Sequence, residues 1–215
     1  GYLLLLQSYT GFITLFFALV VVLFFKLKRL CNKLYLTIYF GGLVFILVVL
    51  ALIGGHYVNA YYKLKPLSFL PLEETTVNGN VYTHHQDGFV ECGNYINNYI
   101  CYSELGEGWR KISNKPLDYI TPNAYPIEPT LIRYLNSKGL TKDSLGLAAL
   151  TYYDIQAIEN GKATYYEAYG NVVEQMIYRL LFEYENYKVY GSVKNFSMLQ
   201  RFELWGNAYE IILYN

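Results

Sequence analysis

The chain has 215 residues, enough for one or two ordinary domains, and its 17 basic and 17 acidic residues cancel to a net charge of zero. That zero sums two unlike regions: no acidic residue precedes Glu73, so the first 60 residues carry +4 and the remainder −4. The balance gives no support for a nucleic-acid partner, and 25 tyrosines point instead to surfaces that are half apolar and half wet.

Gly1 opens the chain with neither a methionine nor a basic leader, and the sequence turns apolar at Tyr2, which fits a signal peptide poorly. The last stretch, SMLQRFELWGNAYEIILYN, starts like a helix, with Ser197 placed to cap it, and no stop signal closes it. Both ends therefore read as cuts, and the sequence as an internal piece of a longer protein.

Tyr2 to Phe25 is a run of 24 residues without a charge, and at about 1.5 Å per residue it covers a hydrocarbon core of about 30 Å. A second uncharged run extends from Leu34 to Val58. Between them KLKRLCNK, residues 26–33, carries four positive charges and no negative one, which places it on the cytoplasmic side. The chain from about Tyr61 onward then lies outside the cytoplasm, in the periplasm of a Gram-negative cell. Tyr57, Tyr61 and Tyr62 sit where an interfacial aromatic belt is expected, and His56 beside them reads as incidental. Within the first run, Gln7, Ser8, Tyr9, Thr10 and Thr14 form a polar cluster. It either faces a bundle interior or makes ordinary helix–helix hydrogen bonds, and both readings imply neighbouring helices.

From Tyr61 to about Tyr125 the chain is rich in Pro, Gly, Asn and Tyr and shows no long helical period. KPLSFLPLEETT reads as an extended exit from the membrane. The runs VYT and NYINNYICY, broken at DG and CGN, predict a small hairpin or irregular sheet. His84 and His85 are adjacent and would point to opposite strand faces, which suits a shared metal poorly, so both read as surface histidines and no metal is expected. Cys92 and Cys101 fall on the oxidising side and Cys31 on the reducing side, which leaves a Cys92–Cys101 disulfide open.

The second half predicts helices. PTLIRYLNSKGL has Pro129 in a first-turn position and stops at Gly139, and DSLGLAAL is capped by Asp143. TYYDIQAIENG carries a capping box of Thr151 and Asp154, closed by Gly161. NVVEQMIYRLLFEYENYKVYG gives a longer amphipathic helix whose stripe of Val172, Val173, Met176, Ile177, Leu180, Leu181 and Tyr184 reads as its packing face. The fold class is thus mainly α. A two-span transmembrane hairpin (1–60) precedes a large, partly irregular and partly helical periplasmic loop (61–196) and the start of the next membrane helix (197–215). Spacing alone yields no active site.

Several stretches, in order, carry a resemblance: GNYINNYICYSELGEGW, TLIRYLNSKGLTKDSLGLAALTYYDIQAIENG, YRLLFEYENY and SMLQRFELWGNA, after a first span whose QSYTG looks like a Ser-Arg-Thr-Gly element. The chain resembles the O-antigen ligase and polymerase family in the form found in Bacteroidetes-type bacteria. The resemblance implies a polytopic inner-membrane glycosyltransferase that works without a metal or other cofactor. Its donor would be a glycan on undecaprenyl diphosphate, and its acceptor lipid A–core (ligase) or another carrier-linked repeat (polymerase). The Arg-x-x-x-Trp-x-x-Ala element falls on Arg201, Trp205 and Ala208, and the resemblance gives Arg201 the lipid diphosphate, because a guanidinium fork stays charged and binds phosphate oxygens in pairs. Trp205 reads first as an anchor or packing residue. Arg133, Lys138 and Arg179 are further cations in matching stretches, each a candidate substrate contact beside a structural or surface reading.

The sequence departs from the family in three places. The arginine of the first-span motif is Tyr9 here, and Asn195, Phe196 and Ser197 stand where Gly-His-Ser is usual. The histidine associated with catalysis would lie beyond Asn215, so this chain by itself is expected to be inactive. A different class remains alongside: a membrane-anchored periplasmic binding or scaffold module without chemistry.

Overall fold

The computed structural model describes residues 9–29, 33–63, 72–191 and 197–214. Gln7, Ser8, Cys31, most of the extended exit and the loop before Ser197 lie outside these residues, as do the side chains of Tyr9, Thr10, Thr14 and Arg201. The described chain is mainly helical and divides into two units, 1–55 and 56–215.

The first unit holds α1 (Tyr9–Arg29) and most of α2 (Lys33–Tyr62). Apolar side chains surround α2 on all sides, and Leu34, Phe45 and Leu52 are exposed, the reverse of a helix in a soluble core. At 30 residues α2 is about 45 Å long, and among the described residues it alone is long and apolar enough to cross a membrane. The Tyr39 hydroxyl donates to the Val20 carbonyl of α1 at 2.8 Å, and the Phe24 and Phe40 rings meet edge to face at 6.1 Å.

The second unit starts with the last turn of α2. A two-stranded antiparallel hairpin follows, β1 (Val90–Glu91) and β2 (Asn94–Tyr95), with Val90 opposite Tyr95 and Glu91 opposite Asn94. Then come α3 (Tyr102–Ile112), α4 (Ile127–Ser137), α5 (Ser144–Ala148), α6 (Tyr152–Glu159), α7 (Tyr165–Tyr169), α8 (Val172–Tyr190) and α9 (Ser197–Tyr214). The local signals of the second half hold. Pro129 lies in the first turn of α4, and Asp143 accepts from the Gly146 N–H at 2.8 Å to cap α5. Thr151 and Asp154 close a capping box on α6, with Gly161 at φ 80° behind it. A second box, Asn171 with Glu174, starts α8.

Two expectations change. Residues 102–112 were expected to be irregular or β-prone and instead form α3, whose Trp109 is wholly buried and donates from Nε1 to the Lys115 carbonyl at 2.8 Å. Gly106 and Gly108 weaken the local helix signal, and packing overrides it: Leu105 and Trp109 enter a core with Ile127, Leu131, Leu135, Leu147 and Ile158. The expected packing stripe of α8 is not its buried face either. Of that stripe Val172, Val173 and Tyr184 are exposed and Met176, Ile177, Leu180 and Leu181 half-buried, Leu181 packing beside Tyr61 and Tyr178, whereas the fully buried residues are Tyr178, Glu183, Glu185 and Asn186.

Candidate functional site

Polar residues occupy the inner face of α8 because that face receives the hairpin. The β1–β2 turn is Cys92–Gly93, and both residues take positive φ, 55° and 78°, as a type I′ turn requires. Glycine accepts this freely, while cysteine pays about 1–2 kcal/mol for its Cβ. Surrounding groups hold the strained turn in place. The Cys92 N–H donates to the Tyr61 hydroxyl at 3.0 Å, and the Gly93 N–H donates to Glu185 Oε1 at 2.8 Å. The Tyr61 hydroxyl in turn donates to Glu185 Oε2 at 2.7 Å. Behind the turn, Asn186 accepts from the Val90 N–H at 2.8 Å and donates to the Val90 carbonyl at 2.7 Å, completing the edge of β1 as a neighbouring strand would. The last turn of α2, the hairpin and α8 are thus joined by five hydrogen bonds, all buried or half-buried.

Next to the turn lies a buried ion pair. Glu91 has no solvent exposure, and its Oε1 accepts from Arg133 Nη2 at 2.7 Å and from Nε at 3.0 Å. The Arg133 side chain is 32% exposed, and its guanidinium lies 4.8 Å from the centre of the Phe182 ring. Burial pushes the Glu91 carboxyl upward and Arg133 pulls it back; Arg133 itself is raised, its own burial outweighed by the Glu91 charge. Lys142 is also wholly buried, donating from Nζ to Asn136 Oδ1 at 2.8 Å, and burial brings it down to about 7. Asn136 donates in turn to the Glu91 carbonyl at 3.2 Å.

The structure separates the cations that the sequence grouped as substrate contacts. Arg133 is committed to Glu91. Lys138 Nζ lies 2.9 Å from Asp154 Oδ2. Burial alone would raise Asp154, but hydrogen bonds from Tyr134, Lys138 and Thr151 outweigh it and hold that carboxyl at about 2. Arg179 is 71% exposed, with Nε 3.6 Å from Glu183, one helical turn on. Each cation thus has its own carboxylate, Glu91 on β1, Asp154 on α6 and Glu183 on α8, and the three do not form one shared cation site. Trp205 is 51% exposed on α9, and Arg201 lies in the first turns of the same helix.

Cys92 and Cys101 are free buried thiols, so the disulfide left open by the sequence does not form. The hairpin reverses at Cys92 itself, so Cys101 is not its cross-strand neighbour. Cys92 packs with Tyr61 and Tyr178, and Cys101 packs with Tyr82 and Tyr99. Burial raises the Cys92 thiol well above its usual range, which makes it unreactive. His84 is not a simple surface residue either: its Nδ1 accepts from the Tyr99 N–H at 3.2 Å and its Nε2 lies 2.9 Å from the Glu73 carbonyl. His85 is exposed, and no group of metal-ligating side chains occurs among the described residues.

The residues that organise this region, Tyr61, Glu91, Glu185 and Asn186, were not singled out by sequence for that role. Nothing in the sequence marks the last two, since α8 carries polar and charged residues along its whole length and only the fold shows which of them are buried. Comparison with protein-family models, with curated proteins and with solved structures gave no match to this chain.

Proposed function

We propose that the chain is the membrane-anchored, extracytoplasmic part of a glycan-transferring enzyme of the O-antigen ligase or polymerase type. In this reading two apolar segments span the inner membrane, the region from Tyr61 onward lies in the periplasm, and Arg201 meets the diphosphate of an undecaprenyl-linked donor. The acceptor is lipid A–core or a second carrier-linked glycan.

One placement supports the reading. Tyr61 and Glu185 tie the end of the apolar helix α2 to the C-terminal half of α8. Five residues separate Gly191 from Ser197, so the start of α9 stays within about 20 Å of the end of α8, and the two helices touch. The helix that carries Arg201, Trp205 and Ala208 thus packs on the helix that is tied to the end of α2, and in this reading a lipid diphosphate lies beside it. A guanidinium there supplies what inverting transfer needs from a protein without a metal, a fixed charge on the departing diphosphate.

A second reading, a membrane-anchored binding or scaffold module without chemistry, draws on a different observation: Arg133, Lys138 and Arg179 are each held by a carboxylate of this same fold. One experiment decides between them. The complete reading frame containing this chain is expressed in a strain lacking its own ligase, and surface glycan is compared with and without Arg201→Ala at matched protein level. Loss of lipid-linked glycan in the variant supports the enzyme, and unchanged glycan favours the module.

A further inference from the structure

We infer that Lys142 and Asn136 are the two ends of an internal covalent staple: in the folded protein the lysine amine attacks the asparagine side-chain amide, and an isopeptide bond forms with release of ammonia. The inference does not depend on the membrane or enzyme readings above and concerns the core of the second unit.

The fold holds both side chains in place before any reaction. Lys142 forms a parallel bridge with Ile100: its N–H donates to the Tyr99 carbonyl at 2.9 Å, and its carbonyl accepts from the Cys101 N–H at 2.9 Å. Asn136 sits in the last turn of α4, and its Nδ2 donates to the Glu91 carbonyl at 3.2 Å. Neither residue has any solvent exposure, and Lys142 Nζ lies 2.8 Å from Asn136 Oδ1. A carbonyl bond is about 1.2 Å long, so Nζ is at most about 4 Å from the amide carbon Cγ. A reacting pair needs about 3–3.5 Å, and a swing of the flexible lysine stem onto the face of the amide closes that gap. Two groups fixed this close meet at an effective concentration far above any reached in solution.

The surroundings supply the chemistry. An ammonium has three protons to place, and among the described residues Asn136 Oδ1 is the one acceptor that Lys142 Nζ finds. Burial therefore favours the neutral amine, with the proton leaving at about 7, and the neutral amine is the nucleophile. Glu91 is wholly buried, and its charge acts on Lys142, so its carboxyl is at hand as the proton carrier. Arg133 donates twice to Oε1, which leaves Oε2 buried without a well-formed hydrogen bond, although the Tyr178 hydroxyl is near enough to act on the carboxyl. The Nζ lone pair forms the bond to Cγ, and one Nζ proton passes to Glu91. Glu91 returns a proton to Nδ2, the Cγ–Nδ2 bond breaks and ammonia leaves. Nothing is oxidised or reduced, and burial keeps out the water that would otherwise compete for the amide. The product ties the end of α4 to the segment paired with Ile100, in a unit whose described cysteines are both free. Newly folded protein carries the open pair, and the titration of Lys142 belongs to that form.

The test is mass spectrometry of the protein from its complete reading frame, purified in detergent and aged at mildly alkaline pH. Samples are denatured at intervals and digested with trypsin, which cuts the open chain after Arg133, Lys138, Lys142 and Lys162. The expected result is that the cut after Lys142 disappears with age. The peptide Tyr134–Lys138 then stays joined to Gly139–Lys162 in one branched species, lighter than the two together by one ammonia. The intact mass should fall by the same ammonia on the same time course, well apart from the two hydrogens that a disulfide removes. Full cleavage after Lys142 at every age, with no branched species, overturns the inference. So does an ammonia loss confined to Asn78–Gly79 or Asn160–Gly161, where a backbone imide gives the same mass change. Lys142→Arg keeps a positive charge but no attacking amine, and a joined species that persists in it also overturns the assignment. Glu91→Gln, checked for its fold by circular dichroism, should slow the joining by about 100-fold, and an unchanged rate would remove Glu91 from the proton transfer.

Discussion

Removing Arg133 leaves the fully buried Glu91 carboxylate without its counter-ion, and the size of the loss follows from the geometry. Taking away one member of a buried pair costs about 3–5 kcal/mol, because a charge is left uncompensated in a poor solvent. Arg133 is 32% exposed, so water replaces part of its role and the low end, about 3 kcal/mol, applies to Arg133→Met. For a unit of this size, each kcal/mol moves the melting midpoint by about 2–4 °C, so the variant should melt about 6–12 °C below the parent in circular dichroism of the detergent-solubilised protein. The loss should depend on pH with a definite sign. Burial already raises Glu91 in the parent, and without Arg133 to oppose it the folded pKa moves further above the unfolded value of about 4.3. The folded variant then keeps a proton that the unfolded chain gives up, so its stability falls as pH rises from that value and levels off above the raised one. Arg133→Met should therefore lose more at pH 8 than at pH 5. A double variant, Glu91→Gln with Arg133→Met, should recover most of the difference, since no bare charge remains. A single variant that melts with the parent, or a double variant no better than the single, would refute the coupling of these two side chains.

Glu185→Gln keeps the size of the side chain but weakens its hold on the Gly93 N–H and the Tyr61 hydroxyl, and should cost about 1–3 kcal/mol in the same melt; a melt unchanged from the parent would mean that the turn is held without it. Lys142 points the other way. It loses its proton at about 7 when folded and at about 10.4 when unfolded, so the folded state binds fewer protons across that window and parental stability should climb with pH. Lys142→Met should flatten that climb and leave stability near neutral pH equal to the parent or higher; a variant that keeps the climb would assign it to another group. Cys92 and Cys101 should both resist maleimide until the protein is unfolded, and the intact mass should be that of free thiols. A mass lower by two hydrogens with both cysteines blocked would show a disulfide.

The sequence by itself determined the helices whose ends are written into a few adjacent residues. Asp143, the Thr151–Asp154 box and the stop at Gly161 act within one turn of backbone, so reading them in order is enough. The apolar length of α2 was equally legible, because crossing a bilayer depends on a count of uncharged residues. Tertiary structure decided what depends on partners distant in sequence. Whether Cys92 points to Cys101 or packs against Tyr178 is settled by where the hairpin reverses, and Tyr61 and Glu185, 124 residues apart, meet on the backbone of that turn. Arg133 shows the same limit: a guanidinium looks the same in sequence whether it faces a substrate phosphate or Glu91, 42 positions away. Periodicity misassigned α8 for a related reason, since it counts apolar side chains, while the face that packed was chosen by the unpaired backbone of a strand edge and the polar groups able to complete it.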